Sequence, residues 1–387
     1  MRLTDGLHRI NLQEEVQEIY LHRFLFKLAI GLVSIFLPLY LLGHGYAVTA
    51  VFLFFSLYYG TFLVLVWPAA WLTGRIGYKH VSLLASPVIF LFYLSLRSVP
   101  HGSVLVYPVA VLGGAGFVMY WIGMNSEMAL SSHDNRRERE TGYFYAVPLL
   151  ASVLSPFVGG IALSLYGFPM LLLLTAAIVA ASFLPFLLST EHTAGMETDI
   201  HEFMGRARRS DFATFLMQGV MSTGRKVVWP LFLALVIQES VAIGGAGSLI
   251  ALGSAAASIL LGRIVVPENR ALTMCVGAAI TATAFLAMAT VTTAGAAFLV
   301  SFAAGVGYVA VNLPIYSAVM SEAEREDIIE YFAFREAGLC SGRILALIFF
   351  VAVFSVLRQA AAFPASFAFI AAGAVGAAWF GPRVGRA

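Results

Sequence analysis

The chain has 387 residues, 60% of them hydrophobic and 11% charged, with a mean hydropathy of +0.87 and a formal net charge of +2. A soluble domain carries about a quarter charged residues, so an aqueous globular fold is excluded. Continuous apolar runs of about 20 residues exclude a β-barrel too, because barrel strands alternate.

The first 20 residues include Glu14, Glu15 and Glu18 and lack an apolar core, so no cleavable signal peptide is expected. Asn11-Leu12-Gln13-Glu14 has capping-box spacing, and Leu12, Val16, Ile19 and Tyr20 fit a short amphipathic surface helix; a frayed tail fits equally well. Apolar segments follow near 24–43, 47–72, 80–97, 103–126, 142–165 and 168–188, then near 213–237, 242–265, 271–290, 293–318, 332–357 and 361–381. The pattern predicts an all-α membrane protein with twelve transmembrane helices. One long polar stretch separates the two sets of six. The expected organisation is an N-terminal segment 1–22, a six-helix bundle 23–190, a linker 191–211 and a second bundle 212–387. Cys275 and Cys340 lie in apolar runs and read as buried free thiols.

On this map 16 of the 23 Lys and Arg lie in loops or at span ends on the side of the N-terminus, while Arg97 and Arg358 lie on the other. The positive-inside rule then makes both termini and the linker cytoplasmic, in a cell inner membrane. The halves also echo each other at an offset of 188 residues: Gly74-Arg75-Ile76 recurs as Gly262-Arg263-Ile264, and Arg137-Glu138 with Tyr143-Phe144 recurs as Arg325-Glu326 with Tyr331-Phe332. Phe36-Leu37-Pro38-Leu39-Tyr40 has a near-match in Val228-Trp229-Pro230-Leu231-Phe232. Duplicated membrane units meet along a seam, and such seams hold solute sites near mid-membrane.

Between spans 2 and 3, Leu72-Thr73-Gly74-Arg75-Ile76-Gly77-Tyr78-Lys79 resembles the loop signature of the major facilitator superfamily, roughly Gly-x-Leu-x-Asp-Arg-x-Gly-Arg-Lys. Leu72, Arg75, Gly77 and Lys79 match, Ala70 replaces the first glycine, and Gly74 replaces the acidic residue. The resemblance covers essentially the whole chain. It implies two rocking six-helix bundles with spans 1, 4, 7 and 10 lining the path. In the family, the acidic residue of this loop faces span 11 and latches the cytoplasmic side. Here Gly74, Arg75, Gly77 and Lys79, with Gly262 and Arg263, form the expected gate, and Glu324, Glu326, Asp327 and Glu330 at the start of span 11 are substitute partners. A merely solvated charged loop is the alternative.

Ionisable groups inside spans need a reason. Arg225 lies 14 residues beyond Asp211 in span 7, about 21 Å along a helix, and Lys226 follows, projecting about 100° away. Pro230 cannot donate to the carbonyl of Lys226, and Ser222-Thr223-Gly224 precedes the pair, so a kinked or opened helix is expected. Span 11 carries Arg335 and Glu336 near the boundary and Arg343 deeper; Glu336 and Arg343 share a face two turns apart, with a water or substrate group bridging them. Lys27 is one turn into span 1 and is expected to snorkel. Glu127 ends span 4. Trp121 and Asn125 form one face of span 4, Tyr308, Asn312 and Tyr316 one face of span 10, and Trp229 lies on span 7.

Three cations at depth with no carboxylate beside them call for water or an anionic visitor, or for carbonyl partners that lock the bundles. The expected substrate path is therefore Arg225, Lys226, Arg343, Trp121, Asn125, Trp229, Tyr308, Asn312 and Tyr316, with Glu336 and Glu127 as proton-coupling candidates. The expectation is a secondary or facilitative transporter for a small anionic solute, acting as a monomer by alternating access. Efflux or flipping of amphipathic compounds, or a non-transporting sensor, are the alternatives. No enzyme activity, cofactor, metal or nucleic-acid partner is expected, since no catalytic cluster or phosphate-binding loop is seen.

Overall fold

The computed structural model describes residues 21–130, 138–185, 203, 208–266, 268–323 and 328–384. The capping-box segment, and Glu324, Glu326 and Asp327, lie outside the described residues. The described chain is nearly all helix, and ten helices are long and apolar enough to cross a membrane. With two shorter helices, α6 and α7, the helices in chain order are α1 (Leu21–Gly43), α2 (Val48–Ile76), α3 (Tyr78–Ser98), α4 (Val106–Leu130), α5 (Glu138–Ser182), α6 (Arg209–Thr223), α7 (Trp229–Val236), α8 (Ser240–Ile264), α9 (Arg270–Met288), α10 (Ala294–Ala323), α11 (Ile328–Val356) and α12 (Gln359–Phe380).

The 45-residue α5 is not one straight rod. Gly167 has φ +74°, a left-handed value that glycine tolerates, followed by Pro169. The Nδ1 of His22, at the start of α1, lies 2.7 Å from the Ser182 carbonyl, while Phe168 packs on Tyr40 near the other end of α1. The chain therefore doubles back at Gly167. We call the face where α1 begins proximal and the opposite face distal.

Outward-facing side chains are apolar along much of the helices, as Leu150, Leu154, Phe157, Ile161 and Leu165 show on α5. That is the surface a bilayer requires. Inside, α2 packs on α11 and α5 on α8, joining the first half of the chain to the second. At the α5–α8 seam a Cβ on Gly160 would come within 2.6 Å of the Ser240 carbonyl oxygen, and one on Gly244 within 2.4 Å of that of Pro156. Without a hydrophobic drive between helices, such close backbone approach supplies the packing. Near the distal face, Phe52 of α2 meets Phe350 and Phe354 of α11 at ring-centroid distances of 5.5 and 5.2 Å, and the end of α1 touches α7. The two halves are thus closed together on the distal side.

Gly160→Val or Gly244→Val should overpack this seam at a cost of about 1–3 kcal/mol, read as earlier thermal unfolding in detergent. Gly60→Ala, where an added Cβ meets nothing within 4 Å, should leave the unfolding curve in place.

Candidate functional site

Between the closed distal ends and the proximal face lies a cavity of about 330 Å³. Its wall comes from both halves: Arg23 and Lys27 on α1, Tyr58, Tyr59 and Phe62 on α2, and Tyr120, Trp121, Met124 and Asn125 on α4. The second half contributes Lys226 between α6 and α7, Tyr308, Asn312 and Tyr316 on α10, and Arg335, Glu336, Leu339 and Arg343 on α11. Among the described residues, five cations therefore share the wall with one carboxylate, and Met124 and Leu339 are the two aliphatic side chains.

Lys226 reaches the wall because of a local widening of its helix. Residues Gly224–Val228 form a π turn in which the Trp229 N–H donates to the carbonyl five residues back, on Gly224. Pro230 is the reason: it lacks the donor that an α-helix needs opposite the Lys226 carbonyl. Gly224 is required at the turn, since a Cβ there would lie 2.7–2.8 Å from Ile370 and Phe285. The adjacent cations then part company. Arg225 lies over the Tyr308 ring at 3.8 Å, outside the cavity wall. Lys226 is surrounded by protein and in electrostatic range of Arg343, Arg225, Glu336 and Lys27, yet its surface stays exposed. Both hold because the exposed surface faces the hollow.

Three other cations of the wall rest on aromatic faces. Lys27 Nζ lies 4.5 Å from the Trp121 ring centre, Arg343 lies over Tyr59 at 5.0 Å, and Arg335 over Tyr316 at 5.4 Å. A π face steadies a cation by about 0.5–2 kcal/mol and leaves its N–H donors free. Glu336 is shared unequally: its Oε1 is 2.9 Å from Arg335 and its Oε2 3.9 Å from Arg343. Arg343 is otherwise held weakly, donating to Ser222 Oγ at 3.3 Å and approaching Cys340 Sγ at 3.6 Å. Such a group can bind an anion without first breaking a strong bond.

The profile of the Major Facilitator Superfamily matches residues 19–347. The chain belongs to that superfamily. Solved structures of similar fold include the nucleoside transporter NupG, with TM-score 0.70 at 13% identity over 94% of this chain and 98% of that one. A POT family transporter in complex with a thioalcohol-conjugated peptide superposes with TM-score 0.74 at 13% identity, covering 94% of each chain. A bacterial homologue of the iron transporter ferroportin in an inward-facing state gives 0.68 at 14% identity, over 97% and 99%. No curated protein matches in sequence. Family and fold are those of membrane-spanning transporters.

Of the residues singled out by sequence in this superfamily member, Lys226, Arg343, Trp121, Asn125, Tyr308, Asn312, Tyr316 and Glu336 come together around the cavity. Arg225 does not line it, and neither does Trp229, which is fully buried and donates from Nε1 to Ser301 Oγ at 3.0 Å. Asn312 is already paired, accepting from Gln218 Nε2 at 2.7 Å and donating to the Tyr308 carbonyl at 2.6 Å. Lys27 turns into the cavity instead of snorkelling outward. Arg335 likewise faces the cavity, and Arg343 approaches Glu336 directly, since side chains on a helix lean back toward its N-terminus. Sequence reasoning missed Arg23, Tyr58, Tyr59 and Phe62. Arg23 and Lys27 are four apart on one face, a usable signal; nothing distinguishes the three aromatics from ordinary packing.

At the expected gate, Gly77 joins α2 to α3 with φ +88°, Gly74 and Lys79 are buried, and Arg75 lies over the Trp71 ring at 4.1 Å. Arg263 is exposed at the end of α8, beside Gly262, where an added Cβ would meet nothing within 4 Å. Glu330 is buried on α11. The side chain of Glu127, with Glu326 and Asp327, lies outside the described residues.

Glu336→Gln should leave Arg335 and Arg343 facing each other without their carboxylate. We expect a loss of about 1–3 kcal/mol in thermal unfolding, below the 3–5 of a sealed pair because the cavity admits water, with partial recovery on adding sulfate.

Proposed function

We propose that this superfamily member is a twelve-span transporter that carries a small anionic solute by alternating access. The count takes α5 as two spans meeting at Gly167 and α6 with α7 as one span through the π turn, which supports two bundles, 23–190 and 212–387, joined by the linker 191–211. The basic loops place both termini in the cytoplasm of an inner membrane, so the cavity opens inward while the distal aromatic contacts close the outside. One copy holds a complete pathway and works as a monomer.

The observation that carries the reading is the charge of the cavity wall among the described residues: Arg23, Lys27, Lys226, Arg335 and Arg343 with one carboxylate, Glu336. A neutral or cationic solute would leave Lys27 and Lys226, which have no ion pair among the described residues, uncompensated in a low-dielectric interior. With only Met124 and Leu339 as aliphatic lining, the wall suits neither an acyl chain nor a bulky amphipath. Glu336 is the coupling candidate, since gain or loss of its proton changes how tightly Arg343 is held.

A thermal-shift screen of anionic and neutral metabolites on purified protein should find its stabilising compounds among the anions. In proteoliposomes, uptake of the best hit should fall at least about tenfold in Arg343→Gln and in Lys226→Gln, a loss of roughly 1.4 kcal/mol or more, with unchanged membrane insertion. Arg225→Gln, which loses a stack outside the wall, should fall less. Wild-type uptake in the Arg343 variant would overturn the reading.

A further inference from the structure

Three features of the cavity wall narrow the solute class further, resting on the anionic reading above. The first is where unpaired positive charge remains. Arg335 and Arg343 share Glu336, whereas Lys27 and Lys226 have no ion pair among the described residues. Lys27 rests on the face of Trp121, and the surface of Lys226 opens on the hollow. Two ammonium groups, with up to six N–H donors between them, therefore point at the same space.

The second feature is their origin. Lys27 belongs to the first half of the chain and Lys226 to the second, and they lie within electrostatic range of each other. A monoanion satisfies one of them; a solute with two acidic groups satisfies both and ties the halves together, which is what a rocking carrier needs from its cargo.

The third feature is the material between the charges. Seven lining residues are aromatic: Tyr58, Tyr59, Phe62, Tyr120, Trp121, Tyr308 and Tyr316. A flat ring is matched by such walls, because aromatic pairs gain stability beyond that of burial alone. The cavity, about 330 Å³, is at the lower end of ligand-site volumes, so the ring is small.

We infer that this chain binds a small planar aromatic dianion, one acidic group on Lys27 and the other on Lys226, with the ring against the tyrosine and tryptophan faces. Aliphatic diacids and aromatic monoacids are poorer ligands for stated reasons: the former lack the ring, the latter leave one ammonium bare.

Titration calorimetry on the purified full-length protein separates these elements with four probes: terephthalate, trans-cyclohexane-1,4-dicarboxylate, benzoate and neutral terephthalamide. Terephthalate should bind about tenfold tighter than the cyclohexane diacid, equivalent to 1.4 kcal/mol, and at least about tenfold tighter than benzoate. Lys27→Gln and Lys226→Gln should each bring terephthalate to within about threefold of benzoate, while Lys27→Arg and Lys226→Arg keep the gap. Equal binding of the two diacids would overturn the aromatic assignment and leave the anionic reading standing. Equal binding of terephthalate and benzoate would overturn the two-point assignment in the same way. Terephthalamide binding as well as terephthalate would sink the anionic reading itself, and binding by none of the probes would overturn the inferred class. The wild-type series decides even where a lysine variant does not fold.

Discussion

Positive charge at membrane depth must be stabilised by something other than bulk water, and most of this molecule's interior follows from how that is done. Four of its deep cations rest on aromatic rings: Lys27 on Trp121, Arg225 on Tyr308, Arg335 on Tyr316 and Arg343 on Tyr59. One carboxylate, Glu336, serves two of them. A ring lowers the energy of a cation without using its hydrogen-bond donors, whereas a carboxylate neutralises the charge and occupies the donors together. A wall built mainly in the first way keeps its cations stabilised with hydrogen-bond donors to spare.

The backbone is arranged to allow this. Pro230 and Gly224 replace one α turn by a π turn at Arg225 and Lys226, and these consecutive cations, which any helix splays apart, go one to a tyrosine face and one to the hollow. Elsewhere glycine does the reverse and draws helices together: Gly219 and Gly342 bring α6 and α11 to backbone contact, as Gly160 and Gly244 do for α5 and α8. Tight seams beside a loosened helix leave a cavity at one level and closure at another.

Helical repetition made part of the site legible in advance. Trp121 with Asn125, and Tyr308 with Asn312 and Tyr316, are spaced by four and share a face; once Lys226, Glu336 and Arg343 are placed at depth, these faces are the ones that meet. Trp229 failed the same test because a face can point toward a neighbouring helix within its own half, where Ser301 receives its N–H. Asn312 was legible as a group needing a partner, but not that the partner is Gln218, 94 positions away. The sequence treated Lys27 as a snorkelling residue because its position one turn into a span fits that equally well, and only the location of Trp121 decides between the two.

Composition and span periodicity were enough to determine that this is a helical membrane protein, and the degenerate loop at 72–79 pointed to its superfamily, because these are properties of local hydropathy and spacing that need no contacts. Which side chains surround the hollow was decided by tertiary structure alone. Whether a cation on a helix faces lipid, a ring or a cavity depends on the rotation of that helix against its neighbours, and here that rotation gave Arg225 a tyrosine face and Lys226 the hollow.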